Sequence, residues 1–127
     1  MRFYKPEDFA DSTVPGSGDL MDPAVMALCD DFAVSQGRKF RITSGVRSPA
    51  RNVAAGGVGD SAHLPKAHCG GKSVAVDIAM ANGAERFAIV FFLLGRGVRR
   101  IGVYDKHVHF DLDPSLPQSV IWAGISK

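Results

Sequence analysis

Residues 105–113 read DKHVHFDLD, with two of the chain's four histidines one residue apart and two aspartates following at the same spacing. In an extended strand, residues two apart share a face. Asp105, His107, His109, Asp111 and Asp113 would then line one side, and Val108, Phe110 and Leu112 the other. The apolar side reads as core. A face of imidazoles and carboxylates suits two kinds of chemistry. One is holding a metal ion through histidine nitrogen and carboxylate oxygen. The other is moving a proton to and from a reacting group. Two more polar positions could complete a site, His63 in DSAH (60–63) and Asp77 in VAVDI (74–78). His63, Asp77 and His109 form a His-Asp-His set, three protein ligands with a position left open, as in catalytic zinc centres. Each also has an ordinary reading on its own, as an exposed loop histidine, a strand-end carboxylate or a hydrogen-bonded strand imidazole.

The elements that must position these residues follow from pattern. DPAVMALCDDFAVSQG reads as a helix with Asp22 as N-cap, Pro23 at the first helical position and Gly37 past the end. Val25, Leu28 and Phe32, with Met26 and Cys29, form its apolar stripe. KFRITSG (39–45) alternates as a strand with Phe40, Ile42 and Ser44 on one face. SPARNVAAGG (48–57) reads as a short helix, and residues 56–72 as a long loop with five glycines, of the kind that carries function. KSVAVDIAM (72–80) is a strand with Val74, Val76 and Ile78 toward the core and Ser73, Ala75, Asp77 and Ala79 opposite. GAERFAIVFFLLGRG (83–97) is a helix, with FAIVFFLLG read as buried. IGVYD (101–105) and VHFDL (108–112) are strands, and DPSLPQS ends the regular structure, with Asp113 in a turn beside Pro114. The order of elements predicts a small α+β domain with a mostly antiparallel sheet.

The composition sets limits. The 127 residues form one domain, long enough for a core without metal or disulfides. Hydrophobic residues make up 46%, charged residues 22%, and the net charge is +2. Nothing in that balance calls for a nucleic-acid partner, and the Arg96/Arg99/Arg100 cluster reads as a solvated helix end. Cys29 and Cys69 stand alone, without a CxxC signature or a disulfide framework, and are expected as reduced thiols. MRFYKPEDF lacks the apolar core of a signal peptide, and FAIVFFLLG is about half a bilayer span. The expectation is synthesis in the cytoplasm, no membrane insertion, and a monomer.

Four blocks in order carry a resemblance: Ser44-Gly45-Val46-Arg47-Ser48-Pro49 with Asn52, Ser61-x-His63, Ala75-x-Asp77, and Val108-His109-x-Asp111. Together they resemble the zinc D-Ala-D-Ala metallopeptidase family of the Hedgehog/DD-peptidase fold. The resemblance runs from about residue 39 to 112. It implies a zinc ion held by His63, Asp77 and His109, with Arg47 pairing to a substrate carboxylate or carbonyl oxygen. Ser61 would be a substrate or supporting contact, and Asp111 would orient a ligand imidazole. The implied activity is hydrolysis of stem-peptide bonds in bacterial peptidoglycan, of D,D-carboxypeptidase or L-Ala-D-Glu or D,D-endopeptidase type. A phage-type endolysin acting at the bacterial cell wall fits that activity.

Two departures from the family pattern stand out. Thirteen residues separate His63 from Asp77, more than the pattern has, and the extra stretch PKAHCGGK holds His68 and Cys69, which are alternative ligands. Lys106 stands three residues before His109, where many members carry an acid. The base is then His107 or Asp105, both expected on the metal-facing side, with His107 preferred. An ordinary strand would put it about 7 Å from His109, within reach of a bound water. The missing acid also leaves open a zinc-bearing binding or structural module without catalysis on the same fold. A protein without metal, its histidines merely hydrogen-bonded, is the third reading.

Overall fold

The computed structural model describes residues 1–59 and 61–126. Asp60, the first residue of DSAH, and Lys127 lie outside the described residues.

Helix α1 spans Pro23–Gln36. The Asp22 carboxylate accepts the Ala24 N–H, and Gly37 closes the helix at φ 70°, a left-handed conformation that costs glycine least. Strand β1 is Ile42–Ser44, helix α2 is Pro49–Ala54 with Ser48 as its cap, and strand β2 is Ala75–Ala79. Helix α3 covers Gly83–Gly95, followed by β3 (Arg100–Val103), β4 (His107–Asp111) and β5 (Val120–Ala123). The sheet order is β1-β2-β4-β3-β5. All neighbours are antiparallel except β3 and β5. The chain is thus α+β, with the mostly antiparallel sheet that its element order predicts.

Alternation sorts the sheet into two faces. Val76 and Ile78 of β2, Val108 and Phe110 of β4, and Ile101 of β3 join Val25, Cys29, Phe32, Ile89 and Leu93 from the helices in one buried core. Phe32 ties the layers together, with its ring centroid 4.9 Å from Phe40 and 5.4 Å from Phe92. The opposite face carries the polar residues. The register places Asp77 beside His109, His109 beside Gly102, and Gly102 beside Trp122. One row across four strands therefore reads Asp, His, Gly, Trp.

Several sequence expectations need correction. β1 is shorter than 39–45 because Phe40 spends its backbone groups on Tyr4, whose hydroxyl accepts the Phe40 N–H and donates to its carbonyl. α3 is not buried throughout: Ile89 and Leu93 face the core while Phe87 and Phe91 are exposed and stack on each other. Regular structure does not end at DPSLPQS, since β5 follows and pairs with β3. As an edge strand of four residues it lacks the long alternation that reveals a strand. The loop after α2 is folded back on itself by a tight turn at Ala67–Cys69 and a bridge between Lys66 and Lys72. Asp113 does sit at the turn with Pro114, accepting the Ser115 N–H, but it has a further role. It is fully buried, accepting from Lys66 Nζ at 2.7 Å and paired with His68 Nε2 at 2.9 Å.

Candidate metal centre

His63 hangs from a loop, yet its ring has little freedom. The loop is stitched to the sheet by Arg47 N–H donating to the His63 carbonyl and Val74 N–H donating to that of Ala62. Ser61 Oγ accepts the His63 N–H at 3.3 Å. His63 Nδ1–H donates to the Gly45 carbonyl at 2.7 Å, which assigns the proton to Nδ1 and leaves Nε2 as a lone pair. Gly45 is required for this. A Cβ there would stand 2.5 Å from the Phe9 carbonyl oxygen, so a larger residue would push the carbonyl off the imidazole.

The lone pair of His63 Nε2 faces Asp77 Oδ1 at 3.3 Å, buried and without a hydrogen-bond partner among the described residues. His109 approaches the same carboxylate from β4, with Nδ1 2.9 Å from Asp77 Oδ1. Its Nε2–H donates to Asp111 Oδ2 at 2.8 Å. Asp111 is held in turn by Arg100 Nε at 2.8 Å and by the Asp113 N–H. The ligand atoms of His63, Asp77 and His109 lie within 4.8 Å of one another, so the three could hold a metal ion. Burial pushes the His63 imidazole below its ordinary value, against the pull of Asp77. A neutral nitrogen lone pair facing a carboxylate oxygen out of water is unfavourable unless a cation sits between them. The donor set, two imidazoles and a carboxylate, suits zinc.

Electrostatics around the set are strong. Burial opposes ionisation of Asp77, but His63 and His109 hold its carboxyl far below the usual range. Burial also presses on His109, and the carboxylates of Asp111 and Asp77 on its two sides overcome it and raise the imidazole. Arg47 adds a nearby positive charge. Its guanidinium donates to Ser44 Oγ at 2.9 Å, Asn52 Oδ1 at 3.3 Å and Asp77 Oδ2 at 3.3 Å.

These groups line a cleft of about 850 Å³ whose walls include Arg47, Ser61, Tyr104, His107, Trp122 and Ser126. That is room for a short peptide segment. His107 Nε2 reaches to 3.8 Å from Asp77 Oδ2, and burial lowers this imidazole too. Asp105 is placed differently from the sequence expectation. The Tyr104 N–H donates to the His107 carbonyl, closing a tight turn that puts Asp105 and Lys106 at its tip, so the strand alternation does not extend back to Asp105. The Asp105 carboxylate is exposed and accepts the Ser126 N–H. His68 and Cys69 also lie apart from the cleft. They can approach Asp113 as a second possible ligand group, but the Lys66 ammonium already supplies the positive charge there.

Sequence reasoning missed the neighbours that shape the set: the Gly45 carbonyl, Arg100, Tyr104, Trp122 and Ser126. Trp122 lies over Gly102, where a Cβ would meet its ring at 2.7 Å, and its centroid is 5.4 Å from that of His109. Its being the chain's one tryptophan was the available signal.

No curated protein and no solved structure matches the chain. A family model described as Peptidase M15 matches residues 7–111, a stretch that holds every residue of the His63–Asp77–His109 set. With most of its length covered, the chain belongs to the peptidase M15 family, a family of metallopeptidases.

Proposed function

We propose that the chain is a zinc-dependent peptidase that cleaves stem-peptide bonds of bacterial peptidoglycan, as a phage-type lysin acting at the cell wall. The observation that carries this reading is the buried His63 Nε2, without a hydrogen-bond partner among the described residues, facing Asp77, with His109 on the same carboxylate and His107 on the same strand reaching toward it. When bound, zinc supplies a Lewis acid that polarises a carbonyl and makes water a nucleophile near neutral pH.

The chain's own residues do the rest. His63 Nε2, Asp77 and His109 Nδ1 would hold the ion, and Asp111 fixes the His109 ring through its other nitrogen. His107, neutral because burial lowers it, takes the proton of the attacking water at Nε2 and returns it to the leaving amine. Arg47 is anchored on Ser44 and Asn52, so its charge faces the developing oxyanion or a substrate carboxylate without reorganising. Ser61 keeps its own hydroxyl proton for a substrate acceptor while it accepts the His63 N–H. His107 is preferred to Asp105 as the base, a reading supported by Asp105 not being among the residues that line the cleft.

The test is mass spectrometry of purified peptidoglycan after digestion, with zinc-loaded and chelator-treated protein. Stem-peptide fragments released by the loaded protein alone are expected, and their masses identify the bond. If zinc-loaded protein binds the wall without releasing fragments, the enzyme reading fails in favour of a binding module.

A further inference from the structure

The segment after β5 returns to the cleft, where Ser126 meets His107, Lys106 and Asp105. Ser126 Oγ stands 2.8 Å from His107 Nδ1 and accepts the Lys106 N–H at 3.3 Å. The Ser126 N–H donates to the Asp105 carboxylate, which thereby ties the segment to the turn before β4. Tyr104 stacks on the His107 ring at 4.4 Å with 12° between the planes, and Gly124 packs against the edge of Tyr104. Residues 112–127 lie beyond the stretch that the family model matches, so no role for Ser126 follows from the family.

We propose that Ser126 is a positioning residue for His107, and that Asp105 is its anchor. The proposal rests on the reading of His107 as the proton carrier. An imidazole on a strand is free to turn about its terminal torsion, which has broad wells. Tyr104 fixes the plane of this ring, and Ser126 fixes which nitrogen points inward. With Nδ1–H donating to Ser126 Oγ, the Nε2 lone pair faces the cleft, on the side of Asp77 Oδ2. The Lys106 N–H holds the other side of the Ser126 oxygen, so the hydroxyl cannot swing away without losing two hydrogen bonds. This is the orienting third group of a nucleophile-and-base arrangement, applied to the base of a hydrolase. It also gives Asp105 a use: the carboxylate that the strand pattern offered as a base holds the residue that aims the base.

The test compares full-length Ser126→Ala, Ser126→Thr, Asp105→Ala and the Asp105→Ala/Ser126→Ala double variant with the parent, all zinc-loaded. Ser126→Ala is expected to lower kcat about tenfold, the size of one lost hydrogen bond, with KM, zinc content and Tm unchanged. Ser126→Thr keeps the hydroxyl and restores turnover. Asp105→Ala lowers kcat less, and the double variant falls no further than Ser126→Ala because both act on one contact. Nitrogen-15 shifts of the His107 ring provide a readout independent of turnover: Nδ1-protonated in the parent, a mixture of tautomers in Ser126→Ala. Parent-like kcat and parent-like shifts in Ser126→Ala would overturn the proposal. So would a kcat loss matched by loss of zinc or of Tm. His107→Ala separates the two readings, because parent-like turnover in it removes His107 as proton carrier and leaves the tautomer result standing.

Discussion

His63 and His109 use opposite nitrogens toward Asp77, and the reason lies in what each ring's other nitrogen touches. The Gly45 carbonyl can only accept, so His63 Nδ1 must donate and Nε2 is left for the site. Asp111 takes Nε2–H of His109 and leaves Nδ1. Asp111 is buried and holds Arg100 as well, so replacing it removes both an imidazole partner and a counter-charge. On the proposed zinc reading, Asp111→Asn is therefore expected to weaken zinc binding by about 10- to 100-fold while leaving His63, Asp77 and His109 in place. Competition for zinc against a chromophoric chelator measures this, and an unchanged affinity would show that Asp111 does not support His109. At this scale the sequence was informative where spacing alone carries meaning. His107 and His109 share a face because a strand alternates, and Asp111 follows at the same step. It was silent on Gly45, because a carbonyl acts through its backbone position rather than its side chain.

Strands β2 and β4 are the elements that make the site, since their register sets Asp77 beside His109 and Ala79 beside His107. The small residues Ala75 and Ala79 on β2 lie across from Asp111 and His107 and leave space for those side chains. β3 contributes by what it lacks. Gly102 lets Trp122 of β5 lie over the strand and reach the His109 ring. Gly102→Ala should force the ring aside and cost about 1–3 kcal/mol of stability, as overpacking does. Because Trp122 is the chain's one tryptophan, its fluorescence reports the displacement directly. A variant with parent-like emission and parent-like stability would contradict the packing described. Helices α1 and α3 and the strands β2 and β4, though not their pairing, were legible, as their apolar periods are long enough to count. β5 was not, since four residues at a sheet edge, half of them exposed, leave little pattern.

The whole molecule rests on buried carboxylates as well as on its apolar core. Asp30 of α1 accepts the N–H groups of Arg2, Phe3 and Tyr4 and so ties the start of the chain to the helix. Burial works against that charge, yet the three N–H groups hold the carboxyl below its ordinary value. Asp11 and Asp113 are likewise held well down, in spite of burial, by their hydrogen-bonding neighbours. A depressed carboxylate contributes stability that is complete above the unfolded value near pH 4 and is lost as the pH falls through the folded one. The protein should therefore lose stability below about pH 4. Asp30→Asn should cost about 1–3 kcal/mol at pH 7, and its deficit against the parent should shrink toward pH 3. Urea unfolding at both pH values checks this, and a deficit independent of pH would refute it. The sequence by itself determined the α+β class, the helices and the polar strand face, since these follow from local period and capping. It also carried the ordered motifs that mark the M15 family. Only the tertiary structure decided which acid faces the cleft, which imidazole nitrogen is free, and that β5 brings Trp122 and Ser126 to the histidines. Those outcomes depend on contacts between residues far apart in the chain, and a two-residue turn at Asp105 and Lys106 was enough to take Asp105 off the face that strand alternation had assigned.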